Sequence, residues 1–174
     1  MRHFRLFTFA VLILAIASIS ATAQKKTTKK KPKPPTVVKT IPPLDVRAAR
    51  EKVDVQLSNV DDFVNKLGLI AQGLETADAD AKAGNLKPAT VAKIEVKKRE
   101  IVEAIRNIKT GLSVLESEFR TKPVLQKYLT HIEGITDLAA QSEDAAIAGK
   151  FVAAKDPLRD IAMKLTDTLA VLPR

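Results

Sequence analysis

The chain has no cysteine and no tryptophan among its 174 residues, and aromatic side chains make up only 4% of it. Without thiols it forms no disulfide, no thiolate metal site and no cysteine nucleophile, and it lacks the lipid-bearing cysteine of a bacterial lipoprotein. Histidine is nearly as scarce: beyond His3 there is only His131. A structural zinc site typically draws on four Cys- or His-type ligands, and a Ser-His-Asp site would have to centre on His131. The Glu-x-x-His motif of di-iron bundles would need Glu three residues before that His, where Tyr128 stands. No glycine-rich phosphate loop is present, and no Asn-x-Ser/Thr sequon.

Acidic residues are absent from the first 43 positions, whereas nine of the 29 cations lie there: Arg2, Arg5, Lys25, Lys26, Lys29, Lys30, Lys31, Lys33 and Lys39. The 20 cations that remain in 44–174 equal the chain's 20 acids, all of which lie in that stretch. The formal charge of +9 therefore belongs to the N-terminal segment. The rest carries no net excess to draw it towards nucleic acid, although a local patch stays open.

Residues 1–23 read as a secretory signal. Arg2 and Arg5 precede the apolar run Leu6 to Ile19, and Ala21-Thr22-Ala23 offers small residues where a signal peptidase cuts. A membrane span needs roughly 20 apolar residues, so cleavage after Ala23 and a periplasmic or secreted protein are expected in preference to an uncleaved anchor. Residues 24–43 are a Lys- and Pro-rich linker with five prolines, too polar to offset its ordering entropy. It is a spacer or an electrostatic tether to an anionic lipid or polymer; in the second reading the working residues are Lys25, Lys26, Lys29, Lys30, Lys31 and Lys33.

Residues 44–174 repeat the helical period four times, predicting an all-α domain folded as an antiparallel, up-down-up-down four-helix bundle. The first stripe holds Val46, Val53, Leu57, Val60, Val64, Leu67, Ala71 and Leu74; the second holds Val91, Ile94, Ile101, Ile105, Ile108, Leu112, Leu115 and Phe119. A third helix is predicted from Pro123 to Gly149 through Leu125, Tyr128, Leu129, Ile132, Ile135, Ala139 and Ala146. The fourth carries Phe151, Ala154, Leu158, Ile161, Leu165, Leu169 and Leu172, starting or kinking at Asp156-Pro157. Short links near 84–87, 120–123 and 149–151 make successive helices antiparallel neighbours. The first two helices read as longer, so one projects or breaks.

An internal repeat at an offset of 65 aligns Phe63, Val64, Leu67, Ile70 and Ala83-Gly84 with Tyr128, Leu129, Ile132, Ile135 and Ala148-Gly149. Duplicated hairpins, an α-solenoid fragment and shared turn chemistry all explain it; solenoids usually need three or more repeats. The stretch Ile135 to Leu165, above all Asp144-Ala-Ala-Ile-Ala-Gly-Lys-Phe-Val-Ala-Ala-Lys155, resembles the C-terminal hairpin of the haem-binding four-helix-bundle cytochromes of the soluble b and c-prime types. The resemblance implies an exported bundle. It carries over no haem ligand. The c-prime Cys-x-x-Cys-His region reads Ala162-Met163-Lys164-Leu165-Thr166, and the b-type's Met on the first helix and His on the last are both absent.

Several residues depart from the stripes. Lys98 falls on the second seam and is expected to snorkel to water, with a buried functional lysine as the alternative. Glu143 falls near the centre of the third. Asp61-Asp62, Asp78/Asp80 and Glu143-Asp144 are acidic clusters expected on solvated faces, with Asp78/Asp80 the candidate for a weak divalent cation. His131 is expected at the bundle's boundary. Val55, Leu69 and Met163 lie off the stripes; if contiguous, they mark a partner or dimer surface. The function expected is non-catalytic: an exported bundle, monomeric or dimeric, that binds an envelope or protein partner or serves as a structural component, without cofactor or metal. The alternative is a small-molecule or cofactor carrier with a cavity near Ala139, Ser142 and Ala146.

Overall fold

The computed structural model of the chain describes residues 41–174. The expected signal segment, most of the expected linker and the six lysines expected to act as a tether, Lys25, Lys26, Lys29, Lys30, Lys31 and Lys33, lie outside the described residues. Every regular element within them is helical: α1 (Leu44–Lys82), α2 (Pro88–Thr121), α3 (Pro123–Gln126), α4 (Leu129–Ile132), α5 (Ile135–Ile147) and α6 (Lys155–Val171). Among the described residues no helix is long and apolar enough to cross a membrane.

The apolar stripes point inward. Val46, Val53 and Val60 of α1 share a core with Leu112, Leu115 and Phe119 of α2. Leu125, Ile132, Ile135 and Ala139 close it from the third segment, and Leu158, Ile161 and Leu165 from α6. A second cluster stacks Leu67 and Ala71 against Ile101, Ile105, Ala146, Phe151 and Ala154. Helix α1 packs on α2 and α6, and α5 on α2 and α6. Polar ties fix direction. Lys52 near the start of α1 pairs with Glu118 near the end of α2, while Asp78 near the end of α1 pairs with Lys98 near the start of α2. Arg50 donates from Nη1 to the carbonyls of Leu169 (2.6 Å) and Leu172 (2.7 Å), satisfying acceptors that the C-terminus of α6 leaves open.

The predicted single third helix is three pieces. Its side chains still face the core, because one-turn helices keep the spacing of threes and fours that a continuous helix has. The break at Gly134 is a left-handed residue, φ 84°, a conformation glycine adopts without a Cβ clash. Helix α6 begins at Lys155, two residues before Pro157, so the proline sits in the first turn, where its missing N–H costs little. Phe151 and Ala154 are fully buried from the turn that precedes it.

That turn explains the repeat at offset 65. Gly149 (φ 75°) donates to the Ala146 carbonyl and Lys150 to that of Ala145; Gly84 (φ 77°) donates to Ala81 and Asn85 to Asp80. These are two copies of one helix-ending motif, each followed by an apolar residue. The helices before them differ: Phe63 to Ile70 lies inside continuous α1, whereas Tyr128 to Ile135 spans two breaks. Shared turn chemistry accounts for the likeness.

Helices α1 and α2, of 39 and 34 residues, outrun the 13 and 17 of α5 and α6. From 79 to 93 no side chain is fully buried, so the α1–α2 hairpin projects past the α5–α6 turn. Gly68 lies inside α1 with nothing within 4 Å of an added Cβ. Gly68→Ala is expected to raise stability by about 0.5–1 kcal/mol, the helical cost of glycine relative to alanine; a fall in the thermal midpoint would mean that the position is covered.

Candidate functional site

Each buried carboxylate is held by named donors. Glu143, placed by sequence against the third stripe, is buried on α5 and clamped by Lys109 and by Arg106 Nε at 2.5 Å. The Lys109 ammonium, then the Arg106 guanidinium, hold its carboxyl below the usual range. Asp78 accepts from Lys98 at 2.7 Å and lies 2.7 Å from Lys82, and these cations depress its pKa. Lys98 thus ends on Asp78 and on Glu95 (2.9 Å) in place of snorkelling freely to water, and both bonds raise its pKa. The carboxylate proposed for a weak cation is engaged by two ammonium groups, and Asp80 does not share them.

No stripe or motif of the sequence singles out Glu116. Its carboxylate, 5% exposed, accepts from Gly134 N (2.9 Å), Thr136 N (3.1 Å), Thr136 Oγ1 (2.7 Å) and Arg120 Nη2 (2.6 Å). It therefore caps α5 from the neighbouring helix, in the favourable field of a helix N-terminus. Burial alone would push its pKa up; Arg120 and the backbone and hydroxyl donors outweigh that and bring it down to about 2. The i,i+4 spacing to Arg120 was legible; the partners at 134 and 136 were not.

The concavity of clearest chemical character is an open groove of about 550 Å³ on the outer side of α1 and α2. Leu115 forms its buried floor, and Val55 and Val114, 56% and 58% exposed, form its walls. The Gln56 side chain lies across Gly111: a Cβ there would stand 2.9 Å from Gln56 Nε2. At Gly111 the absent side chain leaves room for that amide. The Lys52–Glu118 pair closes one end, and Lys52 depresses the Glu118 pKa. An apolar trough with a charged pair and an amide at its rim suits an apolar side chain presented by a polar partner.

Of the off-stripe residues, Val55 joins Val114 in this groove. Leu69, 88% exposed, belongs to a second patch with Ile70, separated from the first by Asn59, Asp62 and Lys66 on α1. Met163 is exposed on α6, and His131 is half-buried within α4. No family model, curated protein or solved structure matches the chain. At Ala139, Ser142 and Ala146 the side chains are buried, and Ser142 Oγ donates to the Ala154 carbonyl at 2.8 Å, so α5 and the turn before α6 approach closely there. Among the described residues no group of three or more His, Cys, Asp or Glu is placed to hold a metal ion.

Proposed function

We propose that this is an exported, non-catalytic protein whose residues 44–174 form an up-down-up-down four-helix bundle, with α3 to α5 as one interrupted rod. It binds a protein or envelope partner through the bundle's outer surface. The lysine-rich segment tethers it to an anionic lipid or polymer. The observation that carries the tether is the segregation of charge: nine cations and no acid in residues 1–43, against 20 of each in the remainder. A balanced body on a strongly basic arm concentrates near an anionic surface without its body adhering to it. The open apolar groove at Val55 and Val114 supports partner binding. The close packing at Ser142 favours this reading over a carrier with an internal cavity.

The test is cosedimentation of residues 24–174 with vesicles containing phosphatidylglycerol. Binding is expected at low salt, with each surface lysine contributing about 1 kcal/mol, and it is expected to fade as salt rises and the Debye length shrinks. Deleting residues 24–39 should abolish it. Binding that ignores salt, or survives the deletion, would contradict the tether.

A further inference from the structure

The second apolar patch has a symmetry of its own. Leu69 and Ile70 are 88% and 46% exposed in the middle of a long helix. With Gly73, Leu74, Ala77 and Lys97 of α2, Ile70 lines a hollow open to solvent. Gly73 has nothing within 4 Å of an added Cβ, so the chain itself gives no packing reason for a glycine there. At 100° per residue, Lys66, Leu69, Ile70, Gly73, Ala77 and Asp80 fall within about 100° of arc, with Gly73 near its centre.

The charges at the two ends of this strip are opposite and equidistant from Gly73. Lys66 lies seven residues before it and Asp80 seven after. Neither is in an ion pair with another described residue, unlike Lys82, Lys97 and Lys98 nearby. They are about 21 Å apart along the helix, too far to pair within one chain. In a two-fold contact every residue i that meets j has j meeting i. An antiparallel crossing of α1 on α1 with its axis at Gly73 brings Lys66 to Asp80 of the second copy, and Asp80 to its Lys66. It also lays Leu69 over the second copy's Ala77, and the missing side chain at the crossing lets the backbones come close.

We propose that this strip of α1 is a self-association surface, and that its occupant is a second copy of the chain, docked antiparallel about Gly73. The surface is separate from the groove at Val55 and Val114, so dimerisation leaves the groove open in both copies.

Sedimentation equilibrium of residues 24–174 tests the proposal. A concentration-dependent dimer is expected. Lys66→Asp and Asp80→Lys each turn two attractive contacts into repulsive ones. Each is expected to weaken dimerisation by about tenfold, given the modest worth of a surface pair. The combined K66D/D80K chain restores opposite charges across the axis and should recover the dimer. Gly73→Ala should weaken the dimer while raising the thermal midpoint at concentrations where the chain is monomeric, a divergence that mere destabilisation cannot give. A chain that stays monomeric to ~100 µM, a dimer indifferent to both single exchanges, or a double exchange as weak as either single one would overturn the proposal.

Discussion

Glu116→Ala is expected to cost on the order of 3 kcal/mol, because a carboxylate held at about 2 in place of 4.5 contributes roughly that much at neutral pH. The loss has a clear origin. Removing the carboxylate leaves the amides of Gly134 and Thr136 and the Thr136 hydroxyl without their acceptor at a helix start, while Arg120 returns to water. Glu116→Gln keeps an acceptor and should lose less. The pH dependence fixes the sign. The folded pKa is depressed, so the stabilisation is fully present above about pH 4.5 and is lost as pH falls towards 2. Asp78, Glu118 and Glu143 are also depressed and add to the acid loss of the native chain. The informative quantity is therefore the difference in unfolding free energy between native and variant chains, which should shrink as pH drops through that window. A difference independent of pH would contradict an ionic cap.

Phe119→Ala is expected to cost about 3–5 kcal/mol, the range for emptying an aromatic site in a core. Phe119 is fully buried in the cluster that draws side chains from α1, α2, the third segment and α6. Domains of this size are stable by only ~5–15 kcal/mol, so the variant should unfold at far lower denaturant. Val114→Ala, five residues earlier in the same helix but 58% exposed, should change stability by no more than about 0.5 kcal/mol. Urea unfolding of both variants checks the contrast. Equal losses would mean that the seam of α2 does not face the shared core.

How much was legible from the sequence follows from the range of each interaction. The stripes could be read because burial repeats every three or four residues along one helix; Val53, Val60, Leu67, Ile105, Leu112 and Phe119 are all buried as their spacing requires. The breaks in the third segment were hidden, since a one-turn helix at Leu129–Ile132 preserves that spacing. Gly134 was the available signal. Beyond the local Arg120, Glu116 takes donors at the start of α5, and Glu143 takes its own from α2; these partners lie 18 to 37 residues away, and no local pattern encodes them. Lys98 looked anomalous because its partner, Asp78, sits on the preceding helix. The groove is half visible in the sequence: Val55 stands off its stripe, whereas Val114 adjoins the seam residue Leu115 and so blends with it, and Gly111 has a role only through the Gln56 side chain across it.

The arrangement of the helices is open to a direct chemical measurement. The chain carries Lys–carboxylate pairs that a zero-length carbodiimide reagent joins only when the groups touch. Mass spectrometry of the monomeric product is expected to find Lys52 joined to Glu118, Lys98 to Asp78 and Lys109 to Glu143, which links opposite ends of α1 and α2 and sets α5 against α2. Links between like ends of α1 and α2, such as Lys52 to Glu95, or the absence of all three expected links, would contradict an antiparallel bundle with one shared core.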